Sequence, residues 1–309
     1  MITVYNTIHD RIVQIENLKE KGAWINLVNP SDEELTLTAN ATGIECDYLK
    51  YALDDEERPR LETENNQILT IINVPIVLNK SVMYDTIPLG IILTEDHIVT
   101  ICLDEVEILR DFSSGRIKGM VTFKKTRFLF QILYKSATSY LKLLRDIEKK
   151  TNEIELRLHM SMKNKELINL LNLQKSLVYF TTSLKSNEKV MEKLLRTKTL
   201  KMYEEDQELL EDVIVENKQA VEMAETYSNI SSSMMDAFAS VISNNLNIVM
   251  KFLTAVTIIL ALPTMVASFF GMNVIIPFQH SPYGFLIVVG ISILLCGTGI
   301  AYLSKREMF

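Results

Sequence analysis

The chain has 309 residues, of which 23% are charged and 48% hydrophobic, and its formal net charge is −7. This length allows one globular domain plus a further substantial part, and the acidic balance excludes an extended basic surface for nucleic acid. Cys46, Cys102 and Cys296 are odd in number and far apart, which excludes a disulfide framework. We interpret them as packing residues.

The first part of the chain, residues 1–120, alternates short β-branched runs with short helical patterns. This pattern predicts an α/β domain. Strands are expected at 70–77, 87–93 and 97–102. Ser31 followed by Glu34 forms a capping box, so a helix should begin there. No apolar stretch follows basic residues near the N-terminus, and the domain is therefore expected to be cytoplasmic.

Long helices are predicted in the middle of the chain, because Gly and Pro are absent from 124–201 and Leu, Ile, Lys and Glu recur at helical spacing. We assign 121–202 to these helices, with a break near Lys163. After Tyr203 another long stretch lacks Gly and Pro, which predicts one helix that continues into the membrane. We assign 203–250 to this stalk helix.

Two membrane spans are predicted at the C-terminal end, since no Asp, Glu, Lys or Arg occurs from Phe252 to Ser304. The stretch consists of two apolar limbs around a short polar loop, and each limb approaches the roughly 20 residues that cross a bilayer. The assigned segments are transmembrane helices 251–273 and 284–304, an external loop 274–283 and a cytoplasmic basic tail 305–309.

Basic residues predict the orientation. Lys251 precedes the first span, Lys305 and Arg306 follow the second, and the loop between the spans has none. Because basic residues stay on the cytoplasmic side, both termini are expected in the cytoplasm and the chain in the cell (inner) membrane.

One face of the stalk helix and first span carries a polar stripe whose steps alternate between four and three residues. Its members are Asp236, Ser240, Ser243, Asn247, Met250, Thr254, Thr257, Ala261, Thr264, Ser268 and Gly271. A repeat averaging 3.5 residues keeps one face toward a common axis, and two spans alone cannot enclose water, so a pore requires several copies. Close packing of small residues in the membrane is the alternative interpretation. The stripe continues below the membrane, which favours the pore.

The composition of the spans also indicates which kind of ion the pore would conduct. The spans contain no charged residue or His of the kind that proton-coupled pumps use, which favours a passive path. A potential of 100 mV contributes about 4.6 kcal/mol for a divalent cation, and neutral oxygens suit Mg2+ that keeps its waters. Met250 and Leu253 form a bulky pair that is able to gate by dewetting, with ordinary helix packing as the alternative.

The first span ends in Gly271-Met272-Asn273, with Pro263 upstream and an aromatic residue directly before the glycine. Here the chain resembles the CorA magnesium-transporter family, and the segments 24–35 and 53–60 also look like family segments. The resemblance implies an α+β membrane protein that assembles as a funnel-shaped homopentamer. Its parts would be an α/β cytoplasmic domain, long helices, and a stalk helix continuous with the first of two C-terminal transmembrane helices.

The resemblance also implies site residues. Gly271, Met272 and Asn273 would form the outer ring that selects the ion. The pore lining, from the stripe and the family together, comprises Asp236, Asn247, Met250, Leu253, Thr257, Thr264 and Ser268. A regulatory Mg2+ site between subunits would pair Asp212 with Asp54 or Asp55, and a solvated charged face is the alternative for these acids.

The expected function is influx of Mg2+, with Co2+ as a second cargo, driven by the membrane potential and gated by cytosolic Mg2+. The alternatives are transport of Zn2+ or Ni2+, or a non-conducting helical scaffold tethered to the bilayer. The loop after the motif has no acidic residue to attract cations, and its His280 would favour a softer metal. No phosphate-binding, zinc-protease or serine-hydrolase motif occurs, so no enzyme is predicted.

Overall fold

The computed structural model describes residues 1–9, 11–78, 83–117, 119–160, 164–197, 199–273, 277 and 282–306. The chain divides into two compact units, Met1–Ser233 and Met234–Phe309.

The first unit contains a seven-stranded sheet with the order β2-β1-β3-β7-β6-β5-β4. The strands are β1 (Ile2–Ile8), β2 (Arg11–Ile15), β3 (Trp24–Val28), β4 (Arg60–Glu64), β5 (Gln67–Val77), β6 (Tyr84–Leu93) and β7 (Ile98–Cys102). β3 and β7 are parallel, and the other neighbouring strands are antiparallel. The three strands predicted from sequence correspond to β5, β6 and β7.

Helices cover both faces of this sheet. They are α1 (Asp32–Thr42), α2 (Cys46–Tyr51), α3 (Glu107–Ser113), α4 (Lys125–Met160) and α5 (Asn164–Arg196). Alternate side chains of a strand point to opposite faces, so Ile25 packs with Leu35 and Leu49 of α1 and α2. Trp24 packs on the other face with Phe128 of α4. The first unit is therefore the expected α/β structure.

Local signals position α1 as predicted. The Ser31 hydroxyl accepts from the Glu34 backbone N–H at 3.3 Å, and the Glu34 carboxylate accepts from the Ser31 N–H at 2.9 Å. Gly43 ends the helix with φ +71°, a conformation that glycine adopts without steric cost.

Two further helices complete the chain, α6 (Glu204–Phe270) and α7 (Gly284–Lys305). The prediction of long helices is confirmed by α4, α5 and α6, while the break assigned near Lys163 falls partly outside the described residues. α6 continues past Pro263. Apolar residues of α6 that follow one another in steps of three, four or seven are expected to form a packing seam. Val213, Ala220 and Ala224 of this series are buried, whereas Val241, further along the same series, is 42% exposed.

The C-terminal part of α6 and the whole of α7 have the length and composition of membrane spans. Only 11% and 6% of their most apolar 18-residue windows are buried within the chain. A buried core hairpin would show the opposite, so these surfaces fit contact with lipid or with other helices. The fold is thus a soluble α/β unit with long helices and two apolar C-terminal helices, as predicted.

Candidate functional site

In the second unit, one side of α6 packs against α7. Ala255 and Val266 of α6 are buried. The Ile259 carbonyl oxygen lies 3.8 Å from the Cys296 Sγ of α7. A Cβ on Gly299 of α7 would lie 3.0 Å from the Leu262 Cδ1. These four α6 positions, spaced four and three apart, define the α7-facing side of the helix.

The polar stripe lies on the other side of α6. At about 100° per residue, Thr257, Ala261, Thr264 and Ser268 are roughly 160° around the helix from the α7-facing side. All eleven stripe residues, from Asp236 to Gly271, are exposed in the single chain. The chain's own second span therefore leaves the stripe uncovered, and close packing against α7 does not explain its small polar residues.

Hydroxyl groups along the stripe are oriented by the helix backbone. Thr254 and Thr257 each donate to the carbonyl four residues earlier at 2.8 Å, and Thr264 does so at 3.0 Å. Ser240 donates in the same way to the Asp236 carbonyl at 3.0 Å. Because the hydroxyl hydrogen is used within the helix, each oxygen retains lone pairs to accept hydrogen bonds from outside.

Met250 and Leu253 are 52% and 56% exposed on α6. Neither side chain is buried by packing within one copy of the second unit. Leu253 lies about 60° around the helix from Met250, so both can line the same face of an assembly. Met250 thus lies within the stripe and Leu253 lies beside it.

The motif Gly271-Met272-Asn273 directly follows α6, and all three residues are exposed. The Gly271 N–H donates to the Ala267 carbonyl at 2.9 Å, and the Met272 N–H donates to the Phe269 carbonyl at 3.4 Å. A Cβ on Gly271 would lie 3.2 Å from that Ala267 oxygen. Glycine therefore allows the tight turn that follows the helix. His280 lies outside the described residues.

The acids predicted to bind regulatory Mg2+ lie on the surface of the first unit. Asp54, Asp55 and Asp212 are exposed. The Asp54 carboxylate accepts from the Glu56 N–H at 3.0 Å, which orders the turn after α2. Among the described residues, no group of three or more His, Cys, Asp or Glu side chains is arranged to hold a metal ion within one chain.

Comparison with known proteins identifies the family. Residues 19–306 match the family described as CorA-like Mg2+ transporter protein. The chain belongs to the CorA-like Mg2+ transporter family. A cobalt/magnesium transport protein CorA of Methanocaldococcus jannaschii is 30% identical, over 88% of this chain and 86% of its own length. A CorA of Thermotoga maritima is 21% identical, over 92% and 82%.

The fold agrees with this CorA membership. The complete structure of the CorA magnesium transporter from Methanocaldococcus jannaschii matches with a TM-score of 0.84 and 26% identity, over 98% of this chain and 96% of that one. The predicted family resemblance is confirmed. The two apolar helices, the long α6 and the α/β unit are thus the CorA arrangement.

Two interactions near these features were not predicted from the sequence, an ion-pair cluster and a hydrogen bond. Arg127 pairs with Glu205 at 2.9 Å and with Asp206 at 3.6 Å, so part of the acidic start of α6 is neutralised within the chain. Cys296, interpreted as a packing residue, also donates to the Ile259 carbonyl. Proline four residues after Ile259 was the available signal for the second contact, since proline frees that carbonyl. Nothing in the local sequence links Arg127 to Glu205.

Proposed function

We propose that this chain forms a homopentameric, funnel-shaped channel that conducts Mg2+ into the cell. Co2+ would be a second cargo, and the membrane potential would drive both. The observation that carries the proposal is the exposed stripe of acceptor oxygens on the side of α6 that α7 leaves free. The relatives support the cargo, because two of them are named cobalt/magnesium transport proteins.

The stripe suits a hydrated cation. Waters bound to Mg2+ direct their hydrogens outward, and Mg2+ gives up these waters reluctantly. A lining for the hydrated ion therefore needs hydrogen-bond acceptors, and the hydroxyls of Thr254, Thr257 and Thr264 have already used their own hydrogens within the helix. Asn247 and Asp236 would continue this lining toward the cytoplasm, and Met250 and Leu253 would form the constriction between them and the hydroxyls.

The outer mouth would be formed by Gly271, Met272 and Asn273 from each copy, with the Asn273 amide oxygen meeting the hydrated ion. The proposed topology places both termini in the cytoplasm. The segments would be the cytoplasmic α/β domain 1–120, cytoplasmic helices 121–202, stalk 203–250, spans 251–273 and 284–304, external loop 274–283 and basic tail 305–309.

Cytosolic Mg2+ would gate the channel. Asp212 of one subunit and Asp54 or Asp55 of the next would share a bound ion in the closed state. All three carboxylates are exposed in the single chain and are therefore available to a neighbouring copy. A bound divalent ion would offset the repulsion between carboxylates brought together at that interface.

The test is ion uptake by purified full-length protein in liposomes, with Mg2+, Co2+, Ni2+ and Zn2+ compared under an inside-negative potential. We expect Asn273→Ala to abolish Mg2+ uptake while the protein still assembles, because the mouth loses its amide oxygens. Asn229→Ala, which removes an exposed amide of α6 in the first unit, is the control and should conduct normally. Uptake by assembled Asn273→Ala at the wild-type rate would contradict the proposal, and no uptake of any ion by wild type would favour the scaffold.

A further inference from the structure

The backbone hydrogen bonding of α6 is interrupted at Pro263, and this missing hydrogen bond is called the gap below. A proline inside a helix has no N–H, and its ring displaces the carbonyl four residues earlier, which here belongs to Ile259. An unpaired carbonyl is costly in a hydrocarbon environment. Membrane helices tolerate such prolines when a neighbouring helix or a side chain supplies a replacement donor.

α7 supplies this donor. The Cys296 thiol donates to the Ile259 carbonyl with 3.8 Å between sulfur and oxygen. Close approach of the two helices is maintained three residues later, where Gly299 leaves room for the Leu262 side chain. On the stripe side, the Thr264 hydroxyl donates to the adjacent carbonyl, that of Leu260. The carbonyls of Ile259 and Leu260, four and three residues before the proline, therefore each have a side-chain donor.

We infer that Cys296 is a positioning residue that fixes the outer end of α6 by replacing the hydrogen bond that Pro263 removes. The helix beyond Pro263 carries Thr264 and Ser268 and leads directly into Gly271. A bend at the proline would redirect all three relative to the lower stripe. The thiol bond ties the freed carbonyl to α7 on the side opposite the stripe and would restrict bending at this point.

The inference is tested by varying the donor and the gap together in the full-length assembled protein. Cys296→Val removes the donor and keeps an apolar side chain, and Cys296→Ser retains a donor. Each is made in the wild-type and in the Pro263→Ala background, where residue 263 again offers an N–H to the Ile259 carbonyl. Since the contact exists only because of the gap, the effect of Cys296→Val should depend on Pro263.

The S–H stretch gives a direct readout, because it absorbs where other protein groups do not and falls in frequency when the thiol donates. The infrared difference between wild type and Cys296→Val isolates the band of Cys296. We expect a lowered frequency in the wild-type background and a higher one with Pro263→Ala. A free-thiol frequency in the wild-type background, or the same frequency in both, would overturn the inference.

Thermal unfolding gives the energetic readout. Cys296→Val should lower the Tm of the wild-type background, by the equivalent of about a threefold change in the folded-to-unfolded ratio. Cys296→Ser should lower it less, and in the Pro263→Ala background Cys296→Val should have no effect. Equal losses in both backgrounds would mean that the cysteine contributes packing alone, which contradicts the inference.

Reduced Mg2+ uptake by Cys296→Val and retained uptake by Cys296→Ser are expected in liposomes, and this part rests on the proposed function. The S–H band and the Tm comparison do not require conduction. Failure of the proposed channel therefore leaves the inference testable. Equal uptake by all variants, together with the expected band and Tm results, would locate the role of Cys296 in folding and contradict its role in directing the pore.

Discussion

At the scale of the residue, the side chain of Asn187 in α5 pairs with the backbone of β5 where the neighbouring strand ends. β4 ends its pairing with β5 at Arg60 and Ile71, and the backbone of Asn73 is left without a strand on that side. The Asn187 side chain accepts from the Asn73 N–H at 2.9 Å and donates to the Asn73 carbonyl at 2.8 Å. Pro75 follows, and it has no N–H to satisfy.

Asn187→Leu should therefore destabilise the protein by about 1–3 kcal/mol, because it leaves the Asn73 N–H without its partner. The Asn73 carbonyl still accepts from the Tyr140 hydroxyl at 3.0 Å. The measurement is the Tm of the full-length protein. Thr182→Leu changes an exposed polar residue of the same helix and should alter the Tm little. Similar decreases of Tm in the two variants would show that the hydrogen bonds between Asn187 and Asn73 do not stabilise the protein.

His97 predicts a dependence of stability on pH. Its side chain is 5% exposed, and burial lowers the pKa of the imidazole, with Lys125 and Lys21 acting in the same direction and Asp96 and a hydrogen bond to the Glu20 backbone opposing it. The unfolded chain then binds the proton more strongly than the folded chain. The stabilising contribution is complete above the ordinary histidine value of 6.5 and is lost as pH falls below it.

His97→Gln should remove this contribution. Between pH 7.5 and about 5 the Tm of the wild type should fall more than that of the variant, since the variant lacks the buried imidazole of residue 97. Parallel curves for the two proteins would assign the acid sensitivity to other groups.

At the scale of the element, local patterns predicted α1, the long helices and the strands β5, β6 and β7, because capping, periodicity and absence of Gly and Pro act within a few residues. β1 to β4, α2 and α3 were not individually predicted. Ser31 and the stripe of α6 are examples. The parallel pairing of β3 with β7 joins residues more than seventy positions apart, and nothing local specifies it. The contacts of Asn187 with Asn73 and of Cys296 with Ile259 also depend on distant residues that the fold brings together.

The two sides of α6 give a prediction for cysteine labelling. Cysteine at Thr257 or Thr264 should react with a water-soluble thiol reagent, because both positions belong to the stripe. Cysteine at Ile258 or Ile259 should not, since Ile259 lies on the α7-facing side and Ile258 lies outside the stripe. The labelling measured for the wild-type protein, which has three cysteines of its own, is subtracted from that of each variant. Equal reactivity at the four positions would reduce the stripe to ordinary helix packing.

At the scale of the whole molecule, the sequence predicted the family, the two spans and the α/β unit, whereas assembly depends on surfaces that meet only between copies. The start of α6 illustrates the difference. Arg127 offsets Glu205 and Asp206 within the chain, and other exposed acids of this helix remain for an interface. Glu208 and Asp212 are both exposed and one helical turn apart. A neighbouring carboxylate placed opposite them would be repelled unless a cation lies between.

This repulsion leads to a test of gating. Asp212→Lys places a fixed positive charge where the bound ion is proposed, so the variant should resist proteolysis without Mg2+, whereas wild type should need Mg2+ for the same protection. An ion that binds only the closed state stabilises it by about 2.7 kcal/mol per site at 100 times its Kd. Glu222→Lys makes the same charge change further along α6 and should still need Mg2+. If wild type and Asp212→Lys are cut equally with and without Mg2+, the acids are a solvated face, because neither the ion nor the lysine then closes an interface.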